Sequence, residues 1–144
     1  MIAVDTNILV YAHRLDSAFH SVANQKLTEL AENVNAWGLP WPCIHEFLAI
    51  VTHPRIYKTP TPLDAALTQI EAWLESPTLH LIGELGDYWP ILKALARQGK
   101  IIGPRIHDAR IAALCLQNNV SLLWSSDRDF SRMEGLKVEN PLVN

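Results

Sequence analysis

Ile2-Ala3-Val4-Asp5-Thr6-Asn7, at the head of the chain, is an apolar triplet that runs into an acid and two polar side chains. Such a triplet, two of its three residues β-branched, suits a buried strand, and the polar step marks its end. Ile8 to His13 then reads as a helix, with Thr6 or Asn7 able to cap it. The pattern returns near the other end, where Ser121-Leu122-Leu123-Trp124-Ser125 meets Ser126-Asp127-Arg128-Asp129-Phe130. Two strands that each stop at an acid, with helical segments between them, describe a parallel sheet carrying carboxylates at its carboxyl edge. In open α/β sheets that is the edge where ligands bind.

The chain between these strands fills in the alternation. Ser17 to Asn33 has helical periodicity, with Val22, Leu27, Leu30 and Ala31 on one face. Ala36 to Pro40 is a second strand. Pro42 suits the first turn of a helix that Pro54 stops. Thr61 to Glu75 is a further helix, with Leu67, Ile70, Trp73 and Leu74 expected inside. Leu79 to Ile82 is a third strand, Asp87 to Gln98 a helix ended by Gly99, and His107 to Asn118 a helix ended by Asn119. Leu136 to Val138 reads as a last edge strand. Strands alternating with helices imply an α/β fold of three layers, with a small parallel sheet flanked by helices on both faces.

The 144 residues suffice for one domain with its own core, read as 1–144. Nearly half of them (49%) are apolar and 19% are charged, which excludes a disordered chain. No apolar run approaches a membrane span, and the opening lacks the basic leader of a signal peptide, so a cytoplasmic protein is expected. Cys43 and Cys115 lie in apolar helical patterns and read as buried thiols. The net charge of −3 argues against nucleic-acid binding on composition alone, unless bound cations neutralise a group of carboxylates.

Four acids invite such a grouping. Asp5 and Asp127 follow strand ends. Asp108 opens a helix, where an acid also favours the helix dipole. Glu46 falls on the stripe defined by Cys43, Phe47, Ile50 and Val51, where a buried carboxylate needs a cationic partner or a metal. The pair His45-Glu46 is not a zinc-protease helix, because Ala49 stands where that motif needs a histidine. Four carboxylates in one pocket cannot all stay ionised without cations. Oxygen-only ligands suit Mg²⁺ or Mn²⁺, which could activate water against a phosphate ester. No nucleophile elbow, phosphate loop or dinucleotide fingerprint competes with this reading.

The segments Ile2 to Leu9, Ile44-His45-Glu46-Phe47, His107 to Ala113 and Leu123 to Phe130 together resemble the four motifs of PIN-domain proteins, in order and over essentially the whole chain. The likeness is greatest to the VapC toxins of bacterial toxin–antitoxin pairs. The resemblance implies a small Rossmann-like, PIN-like fold and Mg²⁺- or Mn²⁺-dependent cleavage of RNA. It also implies an antitoxin partner of the VapB kind and a homodimer. Carried over by position, Asp5, Glu46, Asp108 and Asp127 are the catalytic and metal-binding quartet. Thr6, Asn7, Ser125 and Ser126 are polar helpers, and Asp129 is a weaker candidate beside Asp127. The alternatives are a PIN-like module that binds without cutting, and a different metal phosphohydrolase.

An acidic site needs basic residues elsewhere to hold RNA. Arg14, Arg55, Lys58, Arg105, Arg110, Arg128 and Arg132 are candidates for phosphate contacts. Arg55-Ile56-Tyr57-Lys58 places an aromatic between basic residues, as single-strand stacking requires. Five tryptophans (Trp37, Trp41, Trp73, Trp89 and Trp124) are many for this length, so some are expected at the surface.

Overall fold

The computed structural model describes residues 1–143. Five strands form one sheet in the order β3-β2-β1-β4-β5. They are β1 (Ile2–Val4), β2 (Trp37–Pro40), β3 (Leu79–Ile82), β4 (Leu122–Trp124) and β5 (Val138–Glu139). All pairings are parallel. The order reverses at β1, whose neighbours come from the two halves of the chain, and this switch point leaves a crevice at its carboxyl end. The register places Val4 opposite Trp124, so Asp5 and Ser125 emerge side by side. A hydrogen bond from Asp5 N to Trp124 O (2.9 Å) extends the pairing one residue past the strand.

Six helices cover the sheet: α1 (Thr6–His13), α2 (His20–Glu32), α3 (Trp41–Val51), α4 (Leu63–Leu74), α5 (Tyr88–Gly99) and α6 (Ile106–Gln117). The core joins Val4, Ile8, Leu9, Trp37, Leu39, Phe47, Leu114, Leu123 and Phe130, all essentially closed to solvent. Helix α6 is buried along Ala109, Ile111, Ala112, Ala113, Leu114 and Cys115, so its first turn is held rigidly against the sheet. Cys43 and Cys115 are buried free thiols.

Several local expectations are corrected. The cap of α1 is Asp5, whose carboxylate accepts from Thr6 N, not Thr6 or Asn7. The inner face of α2 centres on Ala23 and Leu27, with Val22, Leu30 and Ala31 only partly covered. In α4, Ala66, Ile70 and Trp73 are buried, while Leu67 and Leu74 are about two-fifths exposed at 37% and 40%. Gly99 lies within α5, and the left-handed residue after it is Lys100, at φ 51°. Glycine is needed at 99 for another reason: a Cβ there would stand 2.9 Å from the carbonyl of Arg132. Trp37 and Trp73 are core, whereas Trp41 and Trp89 are 41% and 65% exposed. Among the described residues no helix is long and apolar enough to cross a membrane.

Candidate active site

Asp5 is 5% exposed and stands where β1 gives way to α1. Its Oδ1 accepts from Thr6 N (2.8 Å) and lies 3.7 Å from the Cys43 thiol. Its Oδ2 accepts from Ser125 Oγ (2.7 Å) and Asn7 Nδ2 (3.1 Å). Burial pushes the carboxyl above its ordinary pKa, while the Ser125 and Thr6 hydrogen bonds and the nearby Glu46 are smaller influences, the first two acting in the opposite sense. The same burial drives the Cys43 thiol well up, with the neighbouring Asp5 charge adding to it, so Cys43 stays a neutral thiol against the carboxylate.

The polar helpers join the acids to one another. Thr6 Oγ1 donates to Glu46 Oε2 (3.0 Å), linking α1 to α3. Asn7 donates to Ser125 Oγ (3.2 Å) and accepts from Ser126 N (3.1 Å), pinning the end of β4 to α1. Ser125 Oγ also accepts from Asp127 N (3.0 Å), and Asp127 in turn accepts from Asp129 N (2.8 Å). The turn after β4 is therefore fixed by side chains at both of its ends. Among the described residues no buried side-chain nitrogen or oxygen lacks a hydrogen-bond partner.

Glu46 departs from its expected place. The buried stripe of α3 is Cys43, Ile44, Phe47 and Val51, and Glu46 sits exposed on its shoulder. With no burial there is no forced pairing, and no ion pair to Glu46 exists among the described residues. Its carboxylate borders a cavity of about 530 Å³ between α3 and α6, which His45, His107, Asp108 and Arg110 also line.

Asp108, Asp127 and Asp129 each offer an oxygen within 4.8 Å of the other two. Asp108 comes from the first turn of α6, and the other two from the turn after β4. Asp129, the weaker candidate of the sequence, is thus part of the tightest group, whereas Asp5 and Glu46 are not members of it. The Asp108 carboxyl is pushed up to about 6, chiefly by burial, then by the charges of Asp127, Asp5, Asp129 and Glu46. All five acids therefore act on one point. Hard carboxylate oxygens gathered at this spacing fit a divalent cation bound by oxygen, and offer nothing to a soft metal. A second cavity, of about 650 Å³, opens beside the trio and is lined by Ser125, Ser126, Asp127, Arg128, Phe130 and Asn140.

The basic residues are placed less uniformly. Arg14 pairs with Asp16 (2.6 Å) and lies over the Tyr57 ring, 3.9 Å from its centroid. One face of the expected stacking residue is therefore taken. Arg55 and Lys58 are exposed around it. Asp5 caps the start of the eight-residue α1 and Arg14 its end, which separates this cluster from Asp5 by about 12 Å of helix. Arg110 bridges Glu84 (3.1 Å), and Arg105 bridges Asp129 (3.1 Å).

An all-parallel sheet with carboxylates collected at its carboxyl edge, and none of the loops that cradle nucleotides, defines the class of small α/β proteins with an acidic, cation-ready crevice. The chain belongs to the PIN-domain family, whose model matches residues 2–136. It is 30% identical over 137 residues to Ribonuclease VapC48 of Mycobacterium tuberculosis, covering 95% of this chain and 94% of that protein. It is 34% identical over 142 residues to Ribonuclease VapC43 of the same organism, covering 99% and 96%. In structure it is similar to VapBC2 from Rickettsia felis, solved bound to a DNA fragment from its promoter. The TM-score is 0.68 at 24% identity, covering 97% of this chain and 98% of that one. That likeness shares the fold described above.

Proposed function

We propose that the chain is a divalent-metal-dependent endoribonuclease and the toxin of a VapBC-type toxin–antitoxin pair, working as one domain over residues 1–144 in the cytoplasm. The ribonuclease class follows from full-length relatives of that name. The observation that carries the mechanism is the trio Asp108, Asp127 and Asp129, with Asp5 and Glu46 acting on the same point. Asp108, Asp127 and Asp129 would hold Mg²⁺ or Mn²⁺; Asp108 and Asp127 with Asp5 and Glu46 make up the acidic quartet read from the sequence, to which Asp129 is added. The bound cation supplies Lewis acidity, acidifying water and offsetting charge on the phosphate.

The chain's own residues do the rest. Ser125, Asn7 and Thr6 fix the carboxylates so that no reorganisation is needed during reaction. Without a cation, the proton that Asp108 keeps up to about pH 6 is the alternative means of lowering the crowded charge. The cavities on either side of the trio leave room for the RNA strand to enter and leave. Ser125 and Cys43, the hydroxyl and thiol beside Asp5, are both closed to solvent and Ser125 Oγ is engaged with Asp5, Asn7 and Asp127, so hydrolysis by water proceeds without a covalent enzyme intermediate. The VapBC neighbour supports a VapB-like antitoxin as partner, and the exposed Trp41 and Trp89 support a homodimer.

The test is cleavage of labelled RNA by purified protein with Mg²⁺, with Mn²⁺ and with EDTA. Cutting is expected with either metal and none with EDTA. Asp127→Ala is expected to lose about two or more orders of magnitude in rate. Cleavage that survives EDTA, or an Asp127→Ala protein near the wild-type rate, refutes the mechanism. RNA binding without cutting in any metal would favour a binding module.

A further inference from the structure

We propose that Arg105 grips the scissile phosphate of the RNA, and that it rests on Asp129 when no cation is bound. This builds on the ribonuclease reading above and adds the group that holds the substrate anion in an acidic site. The Arg105 guanidinium stands 3.1 Å from Asp129 Oδ1, on one of the three acids that crowd together. Among the described residues it is the ion pair that touches this trio; Arg110 is turned to Glu84 and Arg14 to Asp16.

The backbone makes the placement deliberate. Gly103 takes the left-handed conformation at φ 63°, Pro104 stiffens the turn, and Arg105 then precedes α6, which carries Asp108. Arg105 and Asp129 are 43% and 42% exposed. An exposed pair of this kind adds little to stability and opens readily. A structural staple is therefore a poor account of it.

A cation entering the trio competes with Arg105 for Asp129, because both draw on the charge of that one carboxylate. The guanidinium that is displaced remains within a side-chain length of the cluster. Five acids act there, so an incoming phosphodiester would otherwise meet only negative charge beyond what the cation offsets. A guanidinium presents paired N–H donors that match the two free oxygens of a phosphodiester. The exchange is ionic: no covalent bond forms or breaks, and Arg105 stays protonated throughout.

The experiment compares wild type with Arg105→Ala and Arg105→Lys in four readouts. These are Mn²⁺ calorimetry without RNA, binding of a single-stranded RNA in Ca²⁺ with the RNA checked intact, steady-state cleavage, and thermal melting in EDTA. Arg105→Ala is expected to bind Mn²⁺ about threefold or more tightly, having lost the competitor at Asp129. Its RNA affinity should fall about tenfold to a hundredfold, the scale of a charge-assisted contact. kcat/KM should fall by at least as much as the RNA affinity, with KM raised and kcat lowered, because the contact is to the reacting phosphate. Arg105→Lys should recover the wild-type Mn²⁺ affinity but little of the RNA binding, since an ammonium lacks the fork. Melting should be unchanged within about 2 °C in both. Unchanged metal and RNA affinities in Arg105→Ala would overturn the assignment, as would a joint loss of melting temperature and both affinities. If the wild type cuts no RNA in any metal while Arg105→Ala still shows the two affinity changes, the ribonuclease reading fails and Arg105 remains the phosphate grip.

Discussion

Replacing Asp108 by Asn in the metal-free protein isolates the repulsion stored at the head of α6. The side chains are of similar size, and the substitution removes one charge from the trio. The Asp108 carboxyl sits at about 6 against an ordinary 3.8, which sets a ceiling of about 3 kcal/mol on the unfavourable interactions of its charged form. The group faces an open cavity, so solvent screening reduces this to about 1–2 kcal/mol. A raised carboxyl binds its proton more tightly in the folded state than in the unfolded one. Its contribution is therefore fully present below about pH 4 and is lost as pH rises through about 6. In EDTA, Asp108→Asn should match wild type near pH 4 and exceed it at pH 7.5 by about 1–2 kcal/mol, or about 3–8 °C in melting temperature. Paired thermal and urea melts across pH 4 to 8 measure this. An Asn protein less stable than wild type at pH 7.5 would refute the reasoning and leave the helix dipole as the role of Asp108. So would a gap between the two proteins that does not change with pH.

Three further outcomes follow from other parts of the molecule. Ser125→Ala removes a hydroxyl that donates to Asp5 and accepts from Asn7 and Asp127. It should cost about 1–3 kcal/mol in urea melts and weaken Mn²⁺ binding in calorimetry. Gly99→Ala should cost about 1–3 kcal/mol, because the new methyl meets the Arg132 carbonyl, while Lys100→Gly should gain about 0.5–1 kcal/mol by relieving the left-handed residue; both are read by chemical denaturation, and equal signs would contradict the geometry. Mn²⁺ at a hundred times its dissociation constant should stabilise the fold by about 2.7 kcal/mol, with the gain abolished by Asp127→Asn.

The sequence displayed the strands because each is a short apolar run stopped by polar residues, and it displayed Asp5 and Asp127 because they stand at those stops. It misplaced Glu46, since a helical stripe read from residue types cannot tell its centre from its shoulder: Ile44, not Glu46, fills the buried face. Asp129 was undervalued for a similar reason. Only the tight turn after β4, capped by Asp127, brings its carboxylate back toward Asp108. Arg105 was one of seven basic residues named as phosphate candidates, and its link to Asp129 depends on the left-handed Gly103, whose conformation residue order alone does not reveal. Leu67 and Leu74 show the converse limit, being apolar residues that the fold leaves at the surface.

The bond between Asp5 and Ser125 joins residues 120 positions apart. During synthesis β1 leaves the ribosome well before its partner β4 and the turn bearing Asp127 and Asp129, which follow all six helices. Until then Asp5 lacks its serine donor and two of the acids that share its crevice, Asp127 and Asp129. The cleft is thus completed by the final strands, at the long-range, slow end of folding. A chain released only as far as α6 contains all six helices and not yet the strand end that completes the acidic cleft.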